Sequence, residues 1–293
     1  MLEFRKIEKN DRDVIKRILA VSDFRGCEYS FANNLAWHRL YDAWICIEGG
    51  FYISMVKWGG LHFSFPAGEG DLPKLIAELR LIAESENVPL SIGSLSNEHI
   101  ELFRELYGDS FDVSEDEGDA DYIYRASDLR DLKGRKYHGK RNHLKKIESA
   151  GFSYSPLTEA DFDGCIVFAA EEYNKRGGYS EKSLIGEQYA LNTFFENFGF
   201  LGLSGGVLRI DGRIAAFTIG EQINSDTLDI HIEKADISKD GTYAAINNYY
   251  AVQASQGLEY INREEDLGIE GLRKSKQSYH PLYLLRKYTA TFR

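Results

Sequence analysis

The sequence predicts an α/β (α+β) protein of two domains, each a mixed, mostly antiparallel sheet flanked by helices. Three observations lead there. Segments with apolar residues at helical spacing alternate with short runs in which apolar and polar residues take turns. Two hairpin signatures stand between such runs, Glu48-Gly49-Gly50 and Asp211-Gly212. One order of elements also occurs twice, with helices, then an antiparallel meander, then a helix, then strands. The two halves share no clear residue-level similarity, and the boundary falls near residues 125 to 130. The reading gives an N-terminal domain of residues 1–126 and a C-terminal domain of residues 127–293.

A length of 293 residues is enough for two ordinary domains. A hydrophobic fraction of 43% against 28% charged is the balance of a soluble globular chain. No apolar run approaches the roughly 20 residues of a spanning helix, so no integral membrane segment is expected. The start, MLEFRKIEKNDRD, lacks a signal peptide's apolar core, which makes the cytoplasm the expected location. Cys27, Cys46 and Cys165 are far apart without metal spacing and read as small core hydrophobes, so no metal is expected. The net charge of −11 argues against nonspecific adhesion to nucleic acid. One stretch runs against that average. Arg130 to Lys146 holds eight Lys or Arg residues and one acid, Asp131, directly after the acidic stretch Asp112 to Asp121.

In chain order, Arg5 to Val21 has helical spacing through Ile7, Val14, Ile15, Ile18 and Leu19, with Asp11 as N-cap. Tyr29 to Tyr41 reads as a second helix with an aromatic face. Strands follow at 43–47, 51–56 and, after a Gly59-Gly60 turn, 61–65, where Pro66 stops the run. Residues 71–85 form the clearest helix, with Asp71 capping, Pro73 in the first turn and Leu75, Leu79 and Ile82 in one stripe. A strand at 88–92 and a helix at 96–107 come next, then a pair of strands, 111–113 and 122–124, around the acidic loop. Residues 140–148 have helical spacing through Leu144 and Ile147. The second half reads as a strand at 152–154 and helices at 158–174 and 183–198, separated by an Arg176-to-Tyr179 loop. A meander of 201–210, 213–220 and 227–233, a helix at 242–256 and a strand at 257–261 complete the order. The last strand, Tyr260-Ile261, ends in Asn262, Arg263, Glu264, Glu265 and Asp266. Gly268 and Gly271 then lead into a cationic stretch and a closing strand at 281–289. Charges and glycines at the C-terminal end of a strand are where α/β folds usually place ligand groups, although a salt-bridged turn has the same composition.

A meander followed by a crossover helix, with a cleft where the sheet splays, resembles the GNAT acyltransferase fold. Three stretches make the likeness specific: DLRDLKGRKYHGKRNHLKK (Asp128 to Lys146), HIEKAD (His231 to Asp236) and INREEDLGIEGLRKSKQSYHP (Ile261 to Pro281). They are similar to the C-terminal region of bacterial phosphatidylglycerol lysyltransferases, and more closely to soluble relatives of that domain. The resemblance covers essentially the whole chain. It implies two tandem GNAT-like acyltransferase domains, and an activity that moves an aminoacyl group from aminoacyl-tRNA to an amine or hydroxyl acceptor. The lipid-modifying members carry a transmembrane region that this sequence lacks. Coenzyme A is the second donor considered. The phosphate turn of acetyl-CoA-using relatives is poorly matched by Asp236 to Thr242, whose single glycine replaces a glycine-rich run.

Aminoacyl transfer needs a proton acceptor, stabilisation of an oxyanion, and a hold on the donor's backbone. Glu233, Asp229 and Asp266 are the candidate bases. His231 lies between Asp229 and Glu233, on a strand whose alternation places all three on one face, either as a proton relay or as an exposed polar face. For substrate binding the candidates are Asn262, Arg263, Glu265, Arg273, Lys276 and Tyr279. Arg273 and Lys276, three apart on a helix, would grip an anion with Arg263 or else pair with nearby carboxylates. Arg135, Lys136, His138, Lys140, Arg141 and Lys145 would hold tRNA phosphates, or form a solvated helix face. A binding protein without turnover, using the same cleft, is the rival from another class.

Overall fold

The computed structural model describes residues 2–57, 60–176 and 181–293. Gly59 of the expected Gly59-Gly60 turn and residues 177–179 of the Arg176-to-Tyr179 loop lie outside them. The chain divides into two compact units. The first comprises Met1–Asp121, Glu265–Ile269 and Leu285–Arg293, and the second Tyr122–Glu264 and Glu270–Leu284.

The first unit is built on a sheet in the order Trp44–Glu48, Phe51–Val56, His62–Ser64, Ser91–Leu95, Tyr288–Phe292, Phe111–Glu115. Gly49 and Gly50 make the first hairpin because both take positive φ (58° and 86°), as a two-residue turn matched to strand twist requires. Helix Leu72–Ser85 begins where Asp71 accepts a hydrogen bond from the Lys74 amide. Its buried Leu75, Ile76 and Leu79 join Ile53, Phe63, Ile92 and Phe103 in one core. The first helix is shorter than expected, Arg12–Ser22. Asp11 does not cap it with a side-chain bond, because its carboxylate accepts from Arg5 and from the Glu8 amide.

The second unit's sheet runs Tyr283–Leu285, Asp121–Arg125, Tyr260–Asn262, Thr227–Ala235, Arg213–Gln222, Ser204–Ile210, Ser153–Pro156. Helix Thr242–Ala254 covers one face, where Leu228, Ile230, Tyr250 and Ala251 pack together. Helix Glu181–Glu196 brings Phe194 and Phe195 against His231 and Phe217. Residues 111–115 and 121–125 do not pair around the acidic loop as the sequence suggests. The former bonds to Tyr288–Phe292 and the latter to Tyr260–Asn262, in different sheets. The single closing strand expected at 281–289 is likewise two short strands in different sheets. Among the described residues no helix is long and apolar enough to cross a membrane.

Candidate functional site

The central strand of the second unit, Thr227–Ala235, decides where the site lies. It pairs in parallel with Tyr260–Asn262 over three residues only, ending at Asp229↔Asn262. Beyond that point it continues to Ala235 on its other partner alone, so the sheet parts there. Its antiparallel register with Arg213–Gln222 jumps from Gly220↔Ile230 to Ile219↔Ile232. His231 is therefore an extra residue, a β-bulge, and bulges re-aim side chains and flip the alternation beyond them. The sequence expectation that Asp229, His231 and Glu233 share one face fails for this reason. Asp229, paired with Glu221, faces opposite to Glu233, which is paired with Thr218. Gly220 makes the close approach possible, since a Cβ there would stand 2.2 Å from the Asp229 carbonyl oxygen.

On the face toward helix Thr242–Ala254, Glu233 anchors a buried constellation. One of its oxygens accepts from Arg263 Nη2 at 2.8 Å and the other from Asn247 Nδ2 at 3.1 Å. The Arg263 guanidinium lies 4.6 Å from the Tyr279 ring centre and 5.7 Å from that of Tyr124. Burial opposes its charge, but the Glu233 carboxylate, with Tyr124 and Tyr279, more than offsets that and leaves its pKa raised. Arg263 Nη1 and Asn247 Oδ1 are buried and make no hydrogen bond among the described residues. Lys140, in the first turn of helix His138–Ala150, reaches the same place. Its Nζ donates to Ser278 Oγ at 2.7 Å and stands 3.5 Å over the Tyr279 ring. Burial, then the nearby Arg263 charge, push the Lys140 ammonium down to about 8.

Lys276 supports this site from behind. It is buried, and its Nζ donates to the carbonyls of Arg263 at 2.5 Å and Glu264 at 3.0 Å. Tyr279 is buried as well, its carbonyl accepting from Tyr137 Oη at 2.9 Å, and burial raises its phenol pKa. Tyr124 Oη donates to the Lys276 carbonyl at 2.8 Å. Asn262 is fully buried and turns the chain by accepting from the Glu264 amide at 2.7 Å. Arg273 is half-buried on helix Glu270–Gln277.

The opposite face holds His231. Its Nδ1 is 3.0 Å from Glu264 Oε1 and 3.5 Å from Asp229 Oδ2, while Nε2 is 3.5 Å from Glu221 Oε1. The Phe194 ring stacks on the imidazole at 5.4 Å. Burial alone would lower the imidazole pKa, but the Asp229, Glu221 and Glu264 carboxylates outweigh it and hold His231 protonated well above its usual range. Asp229, His231 and Glu264 offer three ligand atoms within 4.8 Å of one another, as do Cys27, Asp121 and Glu265 in the first unit. In the first unit the cation already there is Lys287, 2.7 Å from Asp121 and 2.9 Å from Glu28. Cys27, expected to be a plain core thiol, lies 3.2 Å from Glu265 Oε2. Asp266, also in the first unit, accepts from the Gly268 amide at 2.8 Å.

The basic stretch divides by direction. Arg141 caps the end of helix Ala126–Asp131, donating to the carbonyls of Leu132 and Gly134. Lys136 pairs with Asp128 at 2.9 Å, and His138 meets Asn142 at 3.1 Å. Arg135 and Lys145 are exposed. The turn between Asp236 and Thr242 is closed on itself. Asp236 Oδ1 accepts from the amide and hydroxyl of Ser238, and its carbonyl accepts from Thr242 Oγ1. Neither Asn247 nor Glu221 is among the candidates that the sequence singles out. The signal for both was a polar residue inside an otherwise apolar segment, YAAINNYY and FTIGEQ.

Residues 19–291 match the family model described as phosphatidylglycerol lysyltransferase, C-terminal. The chain belongs to that family. A conserved protein of unknown function from Bacteroides thetaiotaomicron is similar over 100% of both chains, with 37% identity and a TM-score of 0.94. L-PGS from Bacillus licheniformis superposes with a TM-score of 0.67 at 17% identity, over 96% of this chain and 92% of its own. A tandem GNAT protein from the clavulanic acid biosynthesis pathway gives 0.51 at 13% identity, over 99% and 98%. No curated protein matches the sequence. The fold is thus tandem GNAT-like, two mostly antiparallel sheets flanked by helices, as the sequence predicts. Family and fold together support acyl or aminoacyl transfer as the general class of reaction.

Proposed function

We propose that the protein transfers an aminoacyl group from aminoacyl-tRNA to an amine or hydroxyl acceptor, at the point where strands Thr227–Ala235 and Tyr260–Asn262 part. The observation that carries this reading is Arg263. It is a buried guanidinium, fixed by Glu233 and two tyrosine rings, with one nitrogen lacking an acceptor among the described residues. A buried donor left unmade costs about 1–3 kcal/mol, which a carbonyl or developing oxyanion in that position would offset. Asn247, which donates through Nδ2 to the same carboxylate, offers its Oδ1 as the matching acceptor for an α-ammonium. In this assignment Glu233 is a positioning residue. Lys276 and Tyr279 shape the walls, and Asn262 sets the turn that delivers Arg263. The exposed Arg135 and Lys145, with Lys136, supply charge toward tRNA phosphates, and His138 stands beside them. Coenzyme A is the weaker donor, because the turn from Asp236 to Thr242 already bonds its own Ser238 amide.

The test is transfer of label. Purified protein is incubated with a pool of tRNAs charged with radiolabelled amino acids, and separately with labelled acetyl-CoA, with cell extract as the acceptor source. Label leaving tRNA, and lost with Arg263→Lys while the variant stays folded, is the expected result. Transfer from acetyl-CoA alone would replace the donor. Tight binding of charged tRNA without turnover would make this a binding protein.

A further inference from the structure

Acyl transfer to an amine or hydroxyl requires a group that takes the acceptor's proton. The carboxylates that invite this role are occupied. Both oxygens of Glu233 accept hydrogen bonds, from Arg263 and Asn247. Asp229 is fully buried beside the His231 imidazolium, on the sheet face opposite Glu233. Asp266 closes a turn onto the Gly268 amide.

Lys140 stands differently. Helix His138–Ala150 brings its amine over the Tyr279 ring, which the Arg263 guanidinium also contacts, and among the described residues only Ser278 Oγ accepts from it. Two cations thus share one ring, and Glu233 is the carboxylate set against both. Ser278 and Tyr279 follow helix Glu270–Gln277, Arg263 follows strand Tyr260–Asn262, and Glu233 lies on Thr227–Ala235. Among the described residues, these are the charged and polar groups that bear on the amine. A half-buried lysine crowded by a second cation is one physical recipe for an amine that is partly neutral near physiological pH.

We propose that Lys140 is the proton acceptor of the transfer, an assignment that rests on the acyl-transfer reading of this site. The acceptor's nitrogen or oxygen attacks the donor's carbonyl carbon and forms the new bond, and its proton passes to the Lys140 amine. Arg263 Nη1 donates to the carbonyl oxygen as negative charge builds there. The intermediate collapses by breaking the bond to the ester oxygen of the donor, and the Lys140 ammonium returns its proton to that leaving oxygen. No oxidant, metal or further reactant is needed for the balance.

Two measurements test it. Trace acetylation of the wild-type protein with acetic anhydride from pH 6 to 11, read residue by residue by mass spectrometry, requires no variant. Lys140 should reach half-maximal reactivity near pH 8, where exposed lysines do so near 10.4. A midpoint with the exposed lysines overturns the proposal. In the transfer assay, Lys140→Ala should lower kcat at least about 100-fold with little change in KM for charged tRNA. Added ethylamine should restore part of the rate, and Lys140→Arg should not, because guanidinium stays protonated. Full activity of Lys140→Arg, with active wild type, overturns the assignment and leaves acyl transfer standing. A wild type that moves no acyl group from any donor overturns both.

Discussion

Breaking the Glu233–Arg263 pair is the most demanding test of the site's construction. Both side chains are nearly sealed from solvent, 9% and 8% exposed. Glu233→Leu leaves a guanidinium buried between two tyrosine rings with no counter-charge, and strands the Asn247 amide as well. Removing one partner of a buried ion pair costs about 3–5 kcal/mol, because the desolvation of the other is no longer offset. In a unit of this size that is a fall of roughly 6–20 °C in Tm. Arg263→Met should cost a similar amount by leaving Glu233 bare. The double variant, Glu233→Leu with Arg263→Met, removes both charges and should recover most of the loss, since apolar replacement of a buried pair is often neutral. Urea unfolding followed by tryptophan fluorescence and circular dichroism gives the four corners of the cycle. The expected coupling is at least about 2 kcal/mol. Additive losses, or a Glu233→Leu variant within about 0.5 kcal/mol of wild type, as an ordinary surface change would be, would show that the pair is not buried as described.

Further outcomes follow from the same geometry. His231→Phe keeps the stack on Phe194 but removes the cation among Asp229, Glu221 and Glu264, and should lower stability by about 3–5 kcal/mol in urea unfolding. Gly220→Ala forces a Cβ to 2.2 Å from the Asp229 carbonyl; a loss of about 1–3 kcal/mol by overpacking is expected, with broadened amide signals along strand Thr227–Ala235. Lys140 has a lower pKa folded than unfolded, so between pH 8 and about 10.4 the unfolded chain binds more protons and stability rises with pH. Subtracting the curve of Lys140→Met should isolate that rise, and parallel curves would refute it. If charged tRNA binds along the exposed cations, Arg135→Ala and Lys145→Ala should each reduce the slope of log K against log salt by roughly one. Arg141→Ala should instead destabilise the end of helix Ala126–Asp131, visible as faster amide exchange there.

What could be read from the sequence follows the range of the interactions that decide it. The helix at 72–85 and the turns at Gly49-Gly50 and Asp211-Gly212 are set by neighbours a few residues apart, and their signatures were plain. Strands 111–115 and 121–125 look like a hairpin because the acidic loop between them is short. What separates them is Tyr288–Phe292, more than a hundred and fifty residues on, whose bonding to Phe111–Glu115 no local pattern announces. The site shows the same division. That charged residues cluster after Tyr260-Ile261 was visible, and so was the basic run around Lys140. That Lys140 rather than Arg273 or Lys276 carries the unusual amine was not, because the cause is burial against Tyr279 and Arg263, from segments far away in sequence. The bulge at His231 is the sharpest case. Strict alternation through TLDIHIE argued for three polar residues on one face, and a single inserted residue sends Glu233 to the other. The glycine opposite, Gly220, was the one sequence mark of it, since an isolated glycine inside a strand pattern signals a bulge or a close backbone approach. Taken with the alternation, Gly220 separates Glu233, partner of Arg263, from Asp229, partner of His231.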